Sequence, residues 1–343
     1  MGGLAGYGAD GVATGTVVSR RVAMAAFGGA LAGGLVELLT DRTPSPSAAT
    51  AAPAVGSPTG TSGASGSAAS GRTTAASRPA ATASAPSVTP TAPPAPEPPP
   101  SDSAFAAHEA LSTALSALPR GKNVAFGVGL RDAATGRSFL YAVGAPFEMA
   151  STVKVDILVA TYVRAMDAGR TLTANEKKLA ASMIRNSDNT AATTLFRAAG
   201  RSPGMTAVYE RMGMRETRSN SSWGLTTTTP GDRLVVLDAL ARGGGALRAE
   251  DGAEILSLMR TVATNQRWGV GGAARPLETV AVKNGWLPRA TQGGRWIVST
   301  SGLLTGGSSD LRLAVCSRGH ASQSAGITFV EQVLRLAREQ LGV

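Results

Sequence analysis

Apolar residues recur at helical spacing from Phe105 to Leu118, which predicts a first helix. Val124 to Arg131 then alternates Val, Phe, Val and Leu against smaller residues, turns at Ala133-Ala134-Thr135-Gly136 and returns from Phe139 to Val143, the pattern of a β-hairpin. From Val153 to Tyr162 the chain is apolar nearly all round, as in a helix buried in the middle of a domain. Thr173-Ala174-Asn175-Glu176 is a capping box that opens a helix through Ile184. Ser187-Asp188-Asn189 interrupts it, and helical spacing resumes from Thr190 to Ala199. Ser202-Pro203 and Thr229-Pro230 signal the starts of helices to Met212 and Ala241, and Ala249 to Thr264 also reads as helical. Strand-like stretches follow at Thr279–Lys283, Arg295–Leu304 and Leu311–Cys316, and an amphipathic helix from Gly326 to Leu341 comes last.

A helix, two strands, an all-helical middle, three strands and a helix make an α+β pattern. It predicts an antiparallel sheet of about five strands flanked by the terminal helices, with an inserted all-helical lobe. Because strands lie on both sides of the insert, residues 103–343 are expected to form one structural unit.

The remaining third of the 343 residues changes the picture at the N-terminal side. Residues 40–102 are nearly all Ala, Ser, Thr, Pro and Gly, too poor in large apolar side chains to offset ordering entropy, and are expected to be a disordered linker. Within residues 1–39, Ser19-Arg20-Arg21 precedes an apolar run from Val22 to Val36. A run of about 15 residues suits a signal-peptide core better than a full bilayer span, so a signal peptide or an N-terminal membrane anchor is expected. Either implies export, with the folded domain secreted or held at the outer face of the cytoplasmic membrane.

The net charge of +10 is mostly arginine scattered over predicted helices without a basic run, which argues against a nucleic-acid partner. Cys316 is the only cysteine, so neither an intrachain disulfide nor a cysteine metal cluster can form. The two histidines, His108 and His320, lie near opposite ends of the predicted domain with no motif around them, which leaves a Ser-His-Asp triad or a zinc site without support. No metal or cofactor is expected.

Candidate chemistry centres on Ser151-Thr152-Val153-Lys154. If a helix starts near Ser151, positions i and i+3 share a face, so the Lys154 amine can reach the Ser151 hydroxyl and act as its base. The serine's backbone N–H would stand at the positive end of that helix, where a developing oxyanion is favoured. Downstream come Ser187-Asp188-Asn189 and Lys283-Asn284-Gly285. Read alone, the first of these is a helix cap and the second a hairpin turn.

In this order, S-x-x-K, S-D-N and K-x-G resemble the signature of class A β-lactamases and penicillin-binding D,D-peptidases. The resemblance spans roughly Ala104 to Val343 and implies an active-site-serine hydrolase that works through an acyl-enzyme. By that resemblance Ser151, Lys154 and Ser187 are catalytic, and Asn189, Lys283, Gly285 and Trp286 bind substrate, the backbone N–H of Trp286 joining that of Ser151 in an oxyanion hole. The implied substrate is a β-lactam or a D-Ala-D-Ala peptide, with peptidoglycan as a further partner, and the protein is expected to act as a monomer. Hydrolysis of the β-lactam amide is the first expectation; a penicillin-binding D,D-peptidase acting on cell-wall peptides and a non-catalytic binding module that keeps the fold are the alternatives.

Three departures from the pattern stand out. Asn284 replaces the usual Thr, and Trp286 stands where a small residue is common. Ser151 precedes Ser187 by only 36 residues, which implies a reduced helical lobe. Leu225 to Pro230 resembles the D-T-T-T-P end of the class A omega loop, yet no E-x-x-L-N precedes it, and Glu216 is the nearest substitute.

Overall fold

A computed structural model of the protein describes residues 102–142 and 146–343, with side chains from Ala107 onward. The expected signal or anchor and nearly all of the linker lie outside the described residues. Helix α1 (Asp102–Ala117) leads into the antiparallel pair β1 (Ala125–Asp132) and β2 (Ser138–Ala142). Asp132 shapes the turn between them, accepting from the Ala134 N–H at 3.1 Å and the Thr135 hydroxyl at 2.6 Å.

The helical lobe contains α2 (Val153–Asp167), α3 (Ala174–Arg185), α4 (Asn189–Ala198) and α5 (Arg201–Met212), followed by α6 (Pro230–Arg242) and α7 (Ala249–Arg260). A two-residue ladder, β3 (Phe147–Glu148) with β4 (Thr227–Thr228), ties the entry of α2 to the entry of α6. The chain returns to the main sheet through β5 (Thr279–Arg289), β6 (Arg295–Gly306) and β7 (Ser309–Arg318), and α8 (Gln323–Leu341) follows. All pairings in the main sheet are antiparallel, in the order β2-β1-β7-β6-β5. The α+β architecture read from the sequence is therefore the one observed.

Helices α1 and α8 pack against each other, and α8 covers one sheet face, with Phe126 of β1 edge-on to Phe329 at 5.1 Å between centroids. Helix α6 lies over β1 and β7 on the other face and joins the sheet to the lobe. In α2, every residue from Val153 to Val163 is buried, as the all-round apolar pattern predicts. Full burial of Ile157, Leu158 and Val159 contributes about 1.5–3 kcal/mol each relative to exposure. A charged pair sits within this apolar packing: Arg233 of α6 grips Asp156 of α2 through one guanidinium nitrogen at 2.6 and 2.8 Å, both side chains being 1% exposed.

Several boundaries differ from the sequence reading, each for a local reason. The capping box at Thr173 forms as expected, and Thr229 accepts from the Asp232 N–H with Pro230 in the first helical turn. Helix α5 starts at Arg201, ahead of Ser202-Pro203, because Gly200 at φ +92° supplies the left-handed turn that separates it from α4. Helix α7 stops at Arg260, and only a 3-10 turn at Thr264–Gln266 prolongs it. Strand β5 runs six residues beyond Lys283, and neither Asn284 nor Gly285 has the positive φ that an Asn-Gly hairpin turn needs.

Candidate active site

Helix α2 does not begin at Ser151. A 3-10 turn over Ala150–Thr152 precedes it, and Ala150 is held at φ +46°, a left-handed conformation costing a non-glycine residue about 1–2 kcal/mol. The turn is fixed from several sides. The Thr152 hydroxyl donates to Met149 O at 2.7 Å, and Met149 N donates to Thr226 O at 2.8 Å. From the sheet, the edge strand β5 presses on the same turn at Gly285. A Cβ at that position would lie 2.6 Å from Met149 O, 2.7 Å from Thr152 N and 2.8 Å from Ser151 N, so only glycine lets the strand approach the serine's backbone.

The second stretch is shaped by two uses of one tripeptide. Asp188 caps α4, accepting from Ala191 N at 3.0 Å, and also accepts from the Ser182 hydroxyl at 2.8 Å. The helix-cap reading is therefore correct for Asp188. Ser187, in turn, is left-handed at φ +56°, which swings its carbonyl and hydroxyl toward α2. Lys154 Nζ donates to Ser187 O at 2.5 Å, to Ser187 Oγ at 3.0 Å and to Asn189 Oδ1 at 2.7 Å. From β5, Lys283 Nζ reaches the same Ser187 Oγ at 3.1 Å while also donating to Asn284 O at 2.8 Å.

Ser151, Lys154, Ser187, Asn189, Lys283 and Gly285 are thus brought to one place by three distant stretches of chain. The expected bond between Lys154 and Ser151 is absent: the amine points to Ser187 and Asn189, and the half-buried Ser151 hydroxyl makes no hydrogen bond among the described residues. The amine is instead drawn to three acceptors, Ser187 O, Ser187 Oγ and Asn189 Oδ1, which the left-handed Ser187 and the start of α4 present to it.

Electrostatics follow from burial. Lys154 is fully buried, and desolvation, partly offset by the charge of Asp188, pulls its amine down to about 7. Lys283, 1% exposed, is held well below the ordinary lysine value by burial and by the neighbouring Lys154 charge. Two amines, each made easier to deprotonate by burial, therefore flank one hydroxyl.

Of the tryptophans near these residues, Trp286 is expected from the sequence and Trp223 is not. The Trp223 ring lies 5.1 Å from Lys154 Nζ, anchored by its indole N–H to Thr193 Oγ1 at 3.2 Å. It belongs to a 3-10 turn, Trp223–Leu225, in the loop that also carries Glu216. Glu216 in that loop is exposed and accepts from the Thr229 hydroxyl at 3.0 Å, with no hydrogen bond to Ser151, Lys154 or Ser187. Trp286 packs edge-on to Trp268 at 5.9 Å. Asn284, 1% exposed, donates to Gln266 O at 2.8 Å and Trp268 O at 2.9 Å.

The model of the beta-lactamase enzyme family matches residues 164–337, half of the chain, a span that includes Ser187, Asn189, Lys283 and Gly285. The chain belongs to the beta-lactamase enzyme family. Among solved structures, this beta-lactamase family member is similar to PBP-A, with 20% identity and a TM-score of 0.58 over 68% of this chain and 95% of that one. A PBP-A variant captured as an acyl-enzyme complex with penicillin G matches at 20% identity and a TM-score of 0.57, over 68% and 96% of the two chains. An ancestral class A beta-lactamase matches at 23% identity and a TM-score of 0.56, over 67% and 99%. At these identities the likeness establishes the fold. The search of curated proteins returns no match.

Proposed function

We propose that this family member is an active-site-serine hydrolase whose Ser151 is acylated by β-lactams. Ser151 Oγ adds to the lactam carbonyl carbon and its proton passes to neutral Lys154. The carbonyl oxygen takes up the negative charge at the backbone N–H groups of Ser151 and Trp286. The C–N bond then breaks, and the leaving nitrogen receives a proton through Ser187. Water subsequently adds to the Ser151 ester, releasing the carboxylic acid and restoring the hydroxyl.

The observation that supports this reading is the pair of buried amines, Lys154 and Lys283, converging on the Ser187 hydroxyl beside the Ser151 turn. Catalytic hydrogen bonds are often unformed before substrate binds, and the Ser151–Lys154 bond would form at that stage. The residues Asn189, Lys283 and Gly285 would line the acyl and leaving-group sides. The apolar run from Val22 to Val36 supports export of the domain, and the linker would set it away from the membrane surface.

A second reading has its own support. With Glu216 held by Thr229, no loop carboxylate is hydrogen-bonded in the site to activate the deacylating water, which favours a penicillin-binding D,D-peptidase that turns over D-Ala-D-Ala peptides and is trapped by β-lactams. Incubation with penicillin G separates the two readings: continuing loss of free lactam identifies a β-lactamase, and a one-to-one adduct that persists for hours identifies the peptidase. Unchanged lactam and unchanged protein mass, with peptide esters also untouched, would refute both.

A further inference from the structure

Lys154 is fully buried, whereas the Trp223 side chain over its amine is only half-buried. The ring therefore forms part of the wall that keeps solvent from Lys154 Nζ, 5.1 Å from its centroid. Both ends of Trp223 are fixed to the site. Its 3-10 turn packs against the Ala150–Thr152 turn that carries Ser151, and Thr226, the residue after that turn, accepts the Met149 N–H at 2.8 Å. At the far end of the side chain, the indole N–H donates at 3.2 Å to Thr193 Oγ1 of α4, the helix that Asn189 begins. The indole thus spans from the Ser151 turn to α4 and crosses the Lys154 amine on the way.

The neighbouring groups show what such a cover protects. The carboxylates closest to the amine along α2, α4 and the Trp223 loop are already engaged. Asp188 accepts from Ala191 N and the Ser182 hydroxyl, Glu216 accepts from the Thr229 hydroxyl, and Asp156 is held by Arg233. A water attacking a Ser151 ester would have to give its proton to an amine, Lys154 or its neighbour across Ser187, Lys283. Around Lys154 Nζ, Ser187 O, Ser187 Oγ and Asn189 Oδ1 take up three directions, and the indole closes another.

We infer that Trp223 is a positioning residue that shields the Lys154 amine from water and thereby makes the Ser151 acyl-enzyme long-lived. This rests on the proposed acylation of Ser151 and favours the reading in which β-lactams trap the protein. In deacylation a water oxygen bonds the ester carbonyl carbon while the amine takes one water proton; the carbon–Oγ bond then breaks, and Ser151 Oγ recovers that proton. An indole over the amine excludes the water that starts this sequence. Acylation is spared, because its proton comes from Ser151 itself and no water takes part.

Decay of the penicillin G adduct, followed by intact mass, tests the shield in the unaltered protein, Trp223→Ala, Thr193→Val and Thr193→Ser, with acylation rates and circular dichroism measured alongside. Trp223→Ala is expected to shorten the adduct's lifetime about tenfold, and Thr193→Val, which unfastens the indole without removing it, about threefold. Thr193→Ser keeps the acceptor and is expected to match the unaltered protein. The half-maximal pH for acylation is expected to rise in Trp223→Ala, because water admitted to the amine favours its charged form while Asp188 and Lys283, the charged groups beside it, are untouched. A role in folding alone would slow acylation without shortening the lifetime. Should Trp223→Ala fail to fold, Thr193→Val against Thr193→Ser decides. An unchanged or longer lifetime in the folded variants, or rapid turnover with no adduct in the unaltered protein, overturns the shield and leaves the hydrolase reading intact. Absence of both adduct and lactam loss in the unaltered protein overturns the hydrolase reading and the shield with it.

Discussion

Lys154 donates to the Ser187 hydroxyl at 3.0 Å and makes no hydrogen bond to Ser151. In the resting protein, the base that one helical turn of sequence assigns to Ser151 is stored on the serine of the next motif. On the proposed reading, the Lys154–Ser187 half of the proton route is in place before substrate arrives, and the Ser151–Lys154 half would form on binding.

This arrangement sets the pH dependence. Lys154 must be neutral to accept a proton, and burial lowers its amine to about 7. The acylation rate constant is accordingly expected to rise with pH, to be half-maximal near 7 and to level off above it, because the amine form is the base and raising the pH fills it. A stopped-flow pH profile with penicillin G checks this. A profile still climbing at the ordinary lysine value would show that the amine is not desolvated during reaction.

Gly285 gives a steric test. A methyl group there would stand 2.6–2.8 Å from three backbone atoms of the Met149–Thr152 segment, so either the strand or the nucleophile turn must retreat. Gly285→Ala is expected to lower the acylation rate about 100-fold or more, the scale on which losing one oxyanion donor acts. Circular dichroism and the acylation rate measured together distinguish a displaced site from an unfolded one.

How much of this was legible in the sequence depended on whether the cause was local. The capping box at Thr173, the Thr229-Pro230 start and the buried α2 pattern were visible because their causes lie within a few residues. The three motifs were visible because reactive residue types recur at recognisable spacing. Hidden were the left-handed Ala150, which sits in a turn pressed by Gly285 from more than 100 residues away, and the extension of β5 through Asn284-Gly285, which is set by pairing with Thr300 and Ser299 of β6. Trp223 was hidden for the same reason: nothing near it in sequence marks an indole that will lie over Lys154.

Glu216 bears on turnover. Its carboxylate accepts the Thr229 hydroxyl that also caps α6, which makes it a strut between the loop and the helix. Glu216→Gln is expected to leave the deacylation rate within about twofold of the unaltered protein, because the amide oxygen can still accept that bond. Decay of the penicillin adduct by mass spectrometry is the check, and a hundredfold slower decay would make Glu216 the hydrolytic base after all.

Arg233 of α6 ties that helix to α2 through Asp156, two residues beyond Lys154. Arg233→Leu leaves a fully buried carboxylate without its partner and is expected to destabilise the protein by about 3–5 kcal/mol in urea unfolding. The double substitution Asp156→Leu with Arg233→Leu is expected to recover most of that loss, since a buried ion pair contributes little over apolar residues of similar volume. A double variant no more stable than the single one would show that the pair itself holds α2 in place.

The central claim is that Ser151 is the nucleophile even though the resting amine lies on Ser187. Proteolytic peptide mapping after a short incubation with penicillin G tests it most directly, using the unaltered protein with Ser151→Ala and Ser187→Ala. The account predicts the penicilloyl mass on the peptide containing Ser151, its loss in Ser151→Ala, and its slower appearance at the same site in Ser187→Ala. An adduct on Ser187 that survives Ser151→Ala would contradict it.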